Sequence, residues 1–137
     1  MPGGAASTIV VGVDGSEHGI RAWRWAVDEA RRTGDAVTVV AAWSQDVAAP
    51  PSVPRAQLDA ELAGEPDPPP ITYELVEAEP GEALVRAARH ARLLVVGTHG
   101  YGPVRSALVG SVSRYCIGHA TCPVVVVPPP RPDAERD

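Results

Sequence analysis

The sequence contains no lysine, so all twelve of its basic residues are arginine. A Walker-type phosphate loop needs a lysine after its glycines, and this absence excludes that class of nucleotide site. Phenylalanine and asparagine are also absent, a bias typical of a GC-rich genome. The net charge is −5 and no run of like charge occurs. A nucleic-acid partner is therefore not expected, because it would need a concentrated basic face.

Only two cysteines are present, Cys116 and Cys122, and neither has a partner at metal-ligand spacing. We expect both to be reduced, small, buried side chains. No apolar run reaches membrane-spanning length, and Met1–Thr8 lacks the pattern of a secretory leader. We therefore expect a cytoplasmic protein without a membrane partner, with one domain over residues 1–137 and flexible ends at 1–7 and 129–137.

Apolar, β-branched runs alternate along the chain with segments whose apolar residues recur at helical spacing. The runs that predict buried strands are Thr8–Val13, Ala36–Trp43, Ile71–Ala78, Leu93–Val96 and Val124–Val127. Apolar residues at helical spacing predict a helix from Ile20 to Ala30 that ends at Gly34 and has Trp23 as a core residue. Three further helices are predicted: a short one over Arg55–Ala63, one that begins at Pro80, and one from about Ser111 to His119. Residues 44–70 form a connection that holds seven prolines, so most of it is predicted to be loop.

This alternation predicts an α/β fold. Continuous apolar strands indicate a doubly wound, five-stranded parallel sheet with helices on both faces, and we expect the strand order 3-2-1-4-5. In such sheets, ligands bind beyond the carboxyl ends of the strands, where the strand order reverses. Asp14 follows the first strand and Gly97 ends the fourth, so both would flank that point.

Residues 97–113 carry the strongest functional signal. Gly97, Gly100 and Gly110 are followed by Ser111 and Ser113, between a strand and a predicted helix. Glycines let the backbone approach a ligand, and the first N–H groups of a helix have no partner within the helix. Such a loop is suited to binding phosphate. The glycine order does not fit the Rossmann Gly-x-Gly-x-x-Gly pattern, and the loop comes late in the chain.

The spacing Gly-x2-Gly-x9-Gly-Ser resembles that of the ATP-binding members of the universal stress protein family. Three further segments are similar to that family: Val11–Ser16, Leu94–Gly100 and His119–Val127. The resemblance implies a doubly wound sheet that binds ATP or a related adenine nucleotide, with Mg²⁺ carried on the phosphates. It also implies a homodimer through the last strand, Val124, Val125, Val126 and Val127.

By this resemblance Asp14 lies on the adenine and ribose side, and the backbone around Val40–Ala42 lines the base. Gly97 and Gly100 then border ribose and phosphates, while Gly110, Ser111 and Ser113 hold the phosphates. The complete set of residues assigned to nucleotide binding is Gly12, Asp14, Ala41, Gly97, Thr98, His99, Gly100, Arg105, Gly110, Ser111, Val112 and Ser113.

Several of these residues have a second interpretation. Asp14 is also suited to capping the helix that follows it. His99 has no identifiable orienting carboxylate, which disfavours a role as a base. Arg105 and Arg114 could neutralise phosphate charge or be solvated helix residues. Trp43 could form one side of the adenine pocket.

Two departures from the family pattern stand out. The connection after the second strand is short and proline-rich where a longer helix is usual, which would leave one face of the sheet less covered. Arg92 occupies a position where an acidic residue is frequent, and the sequence offers no functional reason for it.

Three functions remain open on the sequence. The leading one is a stress-response regulatory module that binds ATP, and the others are a slow ATPase or nucleotide-transfer enzyme and a dimeric interaction protein without nucleotide. No nucleophile–base pair and no acidic pair for a metal can be identified, which favours binding over catalysis.

Overall fold

The computed structural model describes residues 7–13, 17–43, 55–97 and 111–128. Strands and helices alternate in these ranges as β1 (Thr8–Gly12), α1 (Glu17–Thr33), β2 (Ala36–Trp43), α2 (Arg55–Leu62), β3 (Ile71–Glu77), α3 (Pro80–Ala87), β4 (Leu93–Gly97), α4 (Ser111–His119) and β5 (Val124–Val127). The strands pair in parallel, in the order β3-β2-β1-β4-β5. The predicted fold and strand order are therefore confirmed. Of the ends predicted to be flexible, 1–7 and 129–137, all residues except Ser7 lie outside these ranges.

Two hydrophobic cores lie on opposite faces of the sheet, because successive side chains of a strand point to opposite sides. One face packs against α1 and α2, and its fully buried strand residues are Ile9, Val11, Val37, Val39, Ala41 and Val95. The other face packs against α3 and α4, and its buried strand residues are Val10, Val40, Leu94 and Val96. Trp23 of α1 is 2% exposed in the first core, as its helical spacing predicted. None of the described helices has the length and apolar character that a membrane crossing requires.

The predicted helix boundaries have local causes. Gly34 ends α1 with φ +84°, a conformation that a side chain disfavours, and its N–H donates to the Ala30 carbonyl at 2.7 Å. Pro80 occupies the first turn of α3, where its missing N–H leaves no helical hydrogen bond unmade.

The short helix α2 covers part of the face shared with α1. Leu58 is fully buried there, and the Tyr73 hydroxyl of β3 donates to Asp59 at 2.7 Å. Leu75 lies on the same face of β3 as Tyr73, closer to the carboxyl end of the strand, and is 52% exposed. Coverage of this face therefore ends short of the carboxyl edge of the sheet, within the part of the chain that is described.

An ion cluster lies at the opposite, amino edge of the sheet and explains Arg92. Its Nε donates to Asp35 at 2.7 Å, and its Nη2 donates to Glu29 at 3.2 Å. The Asp35 side chain is only 5% exposed and also accepts a hydrogen bond from the Thr33 hydroxyl. Hydrogen bonds from Arg32, and then from Arg92, hold the pKa of Glu29 below its ordinary value. Arg92 thus connects the end of α1 to the start of β4.

We expect Arg92→Ala to lower the free energy of unfolding by about 2 kcal/mol, because a buried carboxylate loses its charged donor. The measurement is urea unfolding followed by circular dichroism. Arg32→Ala is the matched control, since Arg32 also binds Glu29 but its side chain is 68% exposed, and it should change stability little. Equal losses in the two variants would contradict the role assigned to the buried pair.

Candidate functional site

The carboxyl edge of the sheet brings together the ends of β1, β2 and β4. Gly12 pairs with Val40 of β2, and the N–H of Val13 donates to the Val40 carbonyl at 3.0 Å. On the other side of β1, Val11 pairs with Val95, two residues before Gly97. The strand order reverses between β1 and β4, and in parallel α/β sheets such a reversal is where ligands bind, beyond the carboxyl ends of the strands.

Helix α4 begins at the same edge. It returns the chain from the carboxyl end of β4 to the amino end of β5, so its first turn, Ser111 to Ser113, lies at the carboxyl side of the sheet. The N–H groups of this turn have no acceptor within the helix, and the helix dipole adds partial positive charge. Ser111 is exposed, Val112 is half-buried against the second core, and Ser113 is only 1% exposed. Ser111 is therefore the side chain of this turn that faces solvent.

Gly12 and Ala41 reach this edge through their backbones. A Cβ added to Gly12 would lie 2.6 Å from Leu84 Cδ1, so the missing side chain makes room for α3 beneath β1. The Ala41 side chain is fully buried in the core under α1, which leaves only its backbone to line a ligand. The packing need at Gly12 is independent of any ligand and was not apparent from the sequence.

Two arginines add positive charge near the site. Arg114 directly follows the first turn of α4 and is exposed. The Nε of Arg21 donates to the carbonyl of Pro128, the residue after β5, at 3.0 Å, which brings this guanidinium to the carboxyl edge. Neither arginine forms an ion pair with another described residue. The sequence analysis missed Arg21, because only its contact with the end of β5, 107 residues away, shows its location.

The remaining assigned residues are Asp14, Thr98, His99, Gly100, Arg105 and Gly110, which lie outside the described residues. The capping role considered for Asp14 and the Trp43 side chain lie outside them as well. These assignments stay predictions.

Reactive groups near the site are few in the described part of the chain. Cys116 is fully buried, and burial, together with the neighbouring Cys122, raises the pKa of its thiol to about 11. Both cysteines are free thiols, and Cys116 is far from the thiolate form at neutral pH. No three His, Cys, Asp or Glu side chains converge into a metal cage among the described residues. The start of α4 and the nearby arginines are suited to binding an anion.

Comparison with known families gives a match over most of the chain. The profile of the universal stress protein family matches residues 6–128. A universal stress protein of Mycolicibacterium smegmatis is 37% identical over 133 residues, which cover 88% of this chain and 45% of that protein. The chain thus spans about half the length of the curated relatives it matches.

Solved structures agree with the fold. A universal stress protein in complex with cAMP superposes with a TM-score of 0.66 and 30% identity, over 90% of this chain and 98% of that one. A universal stress protein of Archaeoglobus fulgidus in complex with dAMP gives a TM-score of 0.59 and 26% identity, over 88% and 96% of the two chains.

Proposed function

The chain belongs to the universal stress protein family, and we propose that it is a stress-response regulatory module that binds ATP or a related adenine nucleotide at the carboxyl edge of its sheet. The observation that carries the proposal is the meeting of two features at one edge. The N-terminus of α4 lies there, and the strand order reverses there between β1 and β4. The related proteins solved with cAMP and dAMP support an adenine nucleotide as the ligand.

Each part of the site has a distinct task in this proposal. The α4 N–H groups and the exposed Ser111 hydroxyl donate hydrogen bonds to phosphate oxygens. Arg114 and Arg21 supply positive charge in a chain without lysine. The backbone at Ala41 faces the base, and Asp14 contacts the nucleoside. Mg²⁺, when present, is carried on the phosphates. We propose a single domain over residues 1–137. We also propose that the protein is cytoplasmic.

Ser111→Glu tests the phosphate end of the site. A carboxylate in the first turn favours the helix through its dipole but repels phosphate, so the fold should keep its stability while ATP binds at least about tenfold more weakly. Calorimetric titration with ATP and with adenosine measures this, and adenosine affinity should stay unchanged because it carries no phosphate.

Ser111→Gln is the matched control, since it has nearly the same size without the charge and should weaken ATP far less. Unchanged ATP affinity in the folded Ser111→Glu variant would refute the location of the phosphates. A wild-type chain that binds neither ATP nor adenosine would instead favour the interaction protein without nucleotide.

We expect ATP turnover below about one per minute, against typical enzyme values of around ten per second. Fast phosphoryl transfer needs a positioned metal, positive charge on the transferring group and an oriented nucleophile. Phosphate release from nucleotide-free protein in saturating Mg-ATP measures it, with Ser111→Glu as the control for contaminating ATPases. Turnover of several per second that disappears in this control would identify an enzyme instead.

We also propose a homodimer through β5. This strand pairs with β4 on one side, its other edge has no partner among the described strands, and Val124 to Val126 are only half-buried. An unpaired apolar edge favours pairing with a second copy across a two-fold axis. Val126→Lys should therefore give monomers in analytical ultracentrifugation.

Thr72→Lys places the same charge on β3, the other edge strand, and should leave the dimer intact. Circular dichroism checks that both variants are folded. A wild-type chain that sediments as a monomer at micromolar concentration would exclude this dimer.

A further inference from the structure

Helices α3 and α4 meet through a glycine. Gly81, in the first turn of α3, is buried, and a Cβ built there would lie 2.7 Å from Cδ1, 2.8 Å from Cγ and 3.0 Å from Cβ of Tyr115 in α4. Real Cβ atoms essentially never lie less than 3.0 Å from another, non-bonded heavy atom, so the first two contacts are not tolerable as they stand. The Tyr115 ring therefore occupies the volume that any residue other than glycine would need at position 81.

The ring cannot simply turn away from this contact. Its own Cβ takes part in it, and that atom is attached directly to the α4 backbone. The ring also stacks on His119, with centroids 4.0 Å apart and planes 13° from parallel. Nδ1 of His119 donates to the Tyr115 carbonyl at 2.9 Å, which holds the stacking partner in place. A side chain at position 81 would therefore displace the helix rather than one rotamer.

This contact is close to the phosphate end of the proposed site. Ser111 precedes Tyr115 by four residues, one helical turn, so the two lie on the same side of α4 about 6 Å apart along its axis. We propose that Gly81 is a positioning residue for phosphate binding: by leaving room for Tyr115, it sets where the first turn of α4 lies at the carboxyl edge. The inference rests on the proposed function and extends it to a residue on another helix that touches no ligand.

Gly81→Ala tests the inference, and Gly118→Ala is the matched control. Gly118 lies within α4, and a Cβ there would meet nothing within 4 Å, so the same chemical change should leave the helix in place. We expect Gly81→Ala to weaken ATP binding by about tenfold while adenosine affinity stays within about twofold. The reason is that a displaced hydrogen-bond donor in α4 affects only contacts with phosphate. A general loss of stability would instead weaken the binding of ATP and of adenosine together.

Hydrogen exchange provides a readout that needs no nucleotide. The α4 amides from Tyr115 to His119 should exchange about tenfold faster in Gly81→Ala than in wild type or Gly118→Ala, while α1 amides serve as an unchanged internal reference. Equal α4 exchange in all three proteins would overturn the inference, whatever the nucleotide results. Absence of ATP and adenosine binding in wild type would refute the proposed function alone, because the exchange experiment would still decide whether Gly81 positions α4.

A second variant serves if Gly81→Ala does not fold. Tyr115→Ala removes the ring from the same contact. It should loosen α4 and weaken ATP binding relative to adenosine binding in the same way. In the double variant, the added Cβ no longer meets the ring atoms and keeps only the 3.0 Å contact with the Cβ of residue 115, so the cost of Gly81→Ala should be partly relieved. The inference would be overturned if the effects of the two substitutions on ATP binding free energy were fully additive. It would also be overturned if Tyr115→Ala left α4 exchange and ATP affinity unaltered.

Discussion

Parallel pairing of β1 with both β2 and β4 is the constraint on which the rest of the structure depends. Because the chain leaves β1 towards one neighbour and later returns to the other, its helices must cover opposite faces of the sheet. The same reversal lies between β1 and β4, and α4 begins on the side of the sheet where these strands end. The site is thus a consequence of topology before any side chain contributes to it.

The main ion cluster and the proposed binding site lie at opposite edges of this sheet. The amino edge holds the ion cluster of Arg92, Asp35 and Glu29, where a buried carboxylate ties the end of α1 to the start of β4. The carboxyl edge has instead the N-terminus of α4 with Arg21 and Arg114 near it, and neither arginine forms an ion pair with another described residue. This separation suits an anion site, because carboxylate-bound arginines would be less available to phosphate.

Close approach between layers sets the position of the helices on the α3–α4 face. Gly12 lets Leu84 of α3 approach β1, and Gly81 lets Tyr115 of α4 approach α3. The position of the first turn of α4 therefore depends on two contacts that run from the sheet through α3 to α4. Tightly packed interiors transmit such displacements rather than absorbing them, so a residue remote from the ligand can influence its affinity.

Local patterns in the sequence were sufficient to predict the helices, the strands and the fold class. Alternating apolar runs, Gly34 and Pro80 mark strand and helix boundaries through backbone chemistry that acts within a few residues. The glycine spacing and the family resemblance located the candidate site at the carboxyl edge, although half of its assigned residues lie outside the described ranges. Only the tertiary structure revealed why Arg92 is basic, because its partner Asp35 is 57 residues away. It alone also revealed that Gly81 accommodates a ring from another helix, since periodicity carries no information about which distant side chains will share a volume.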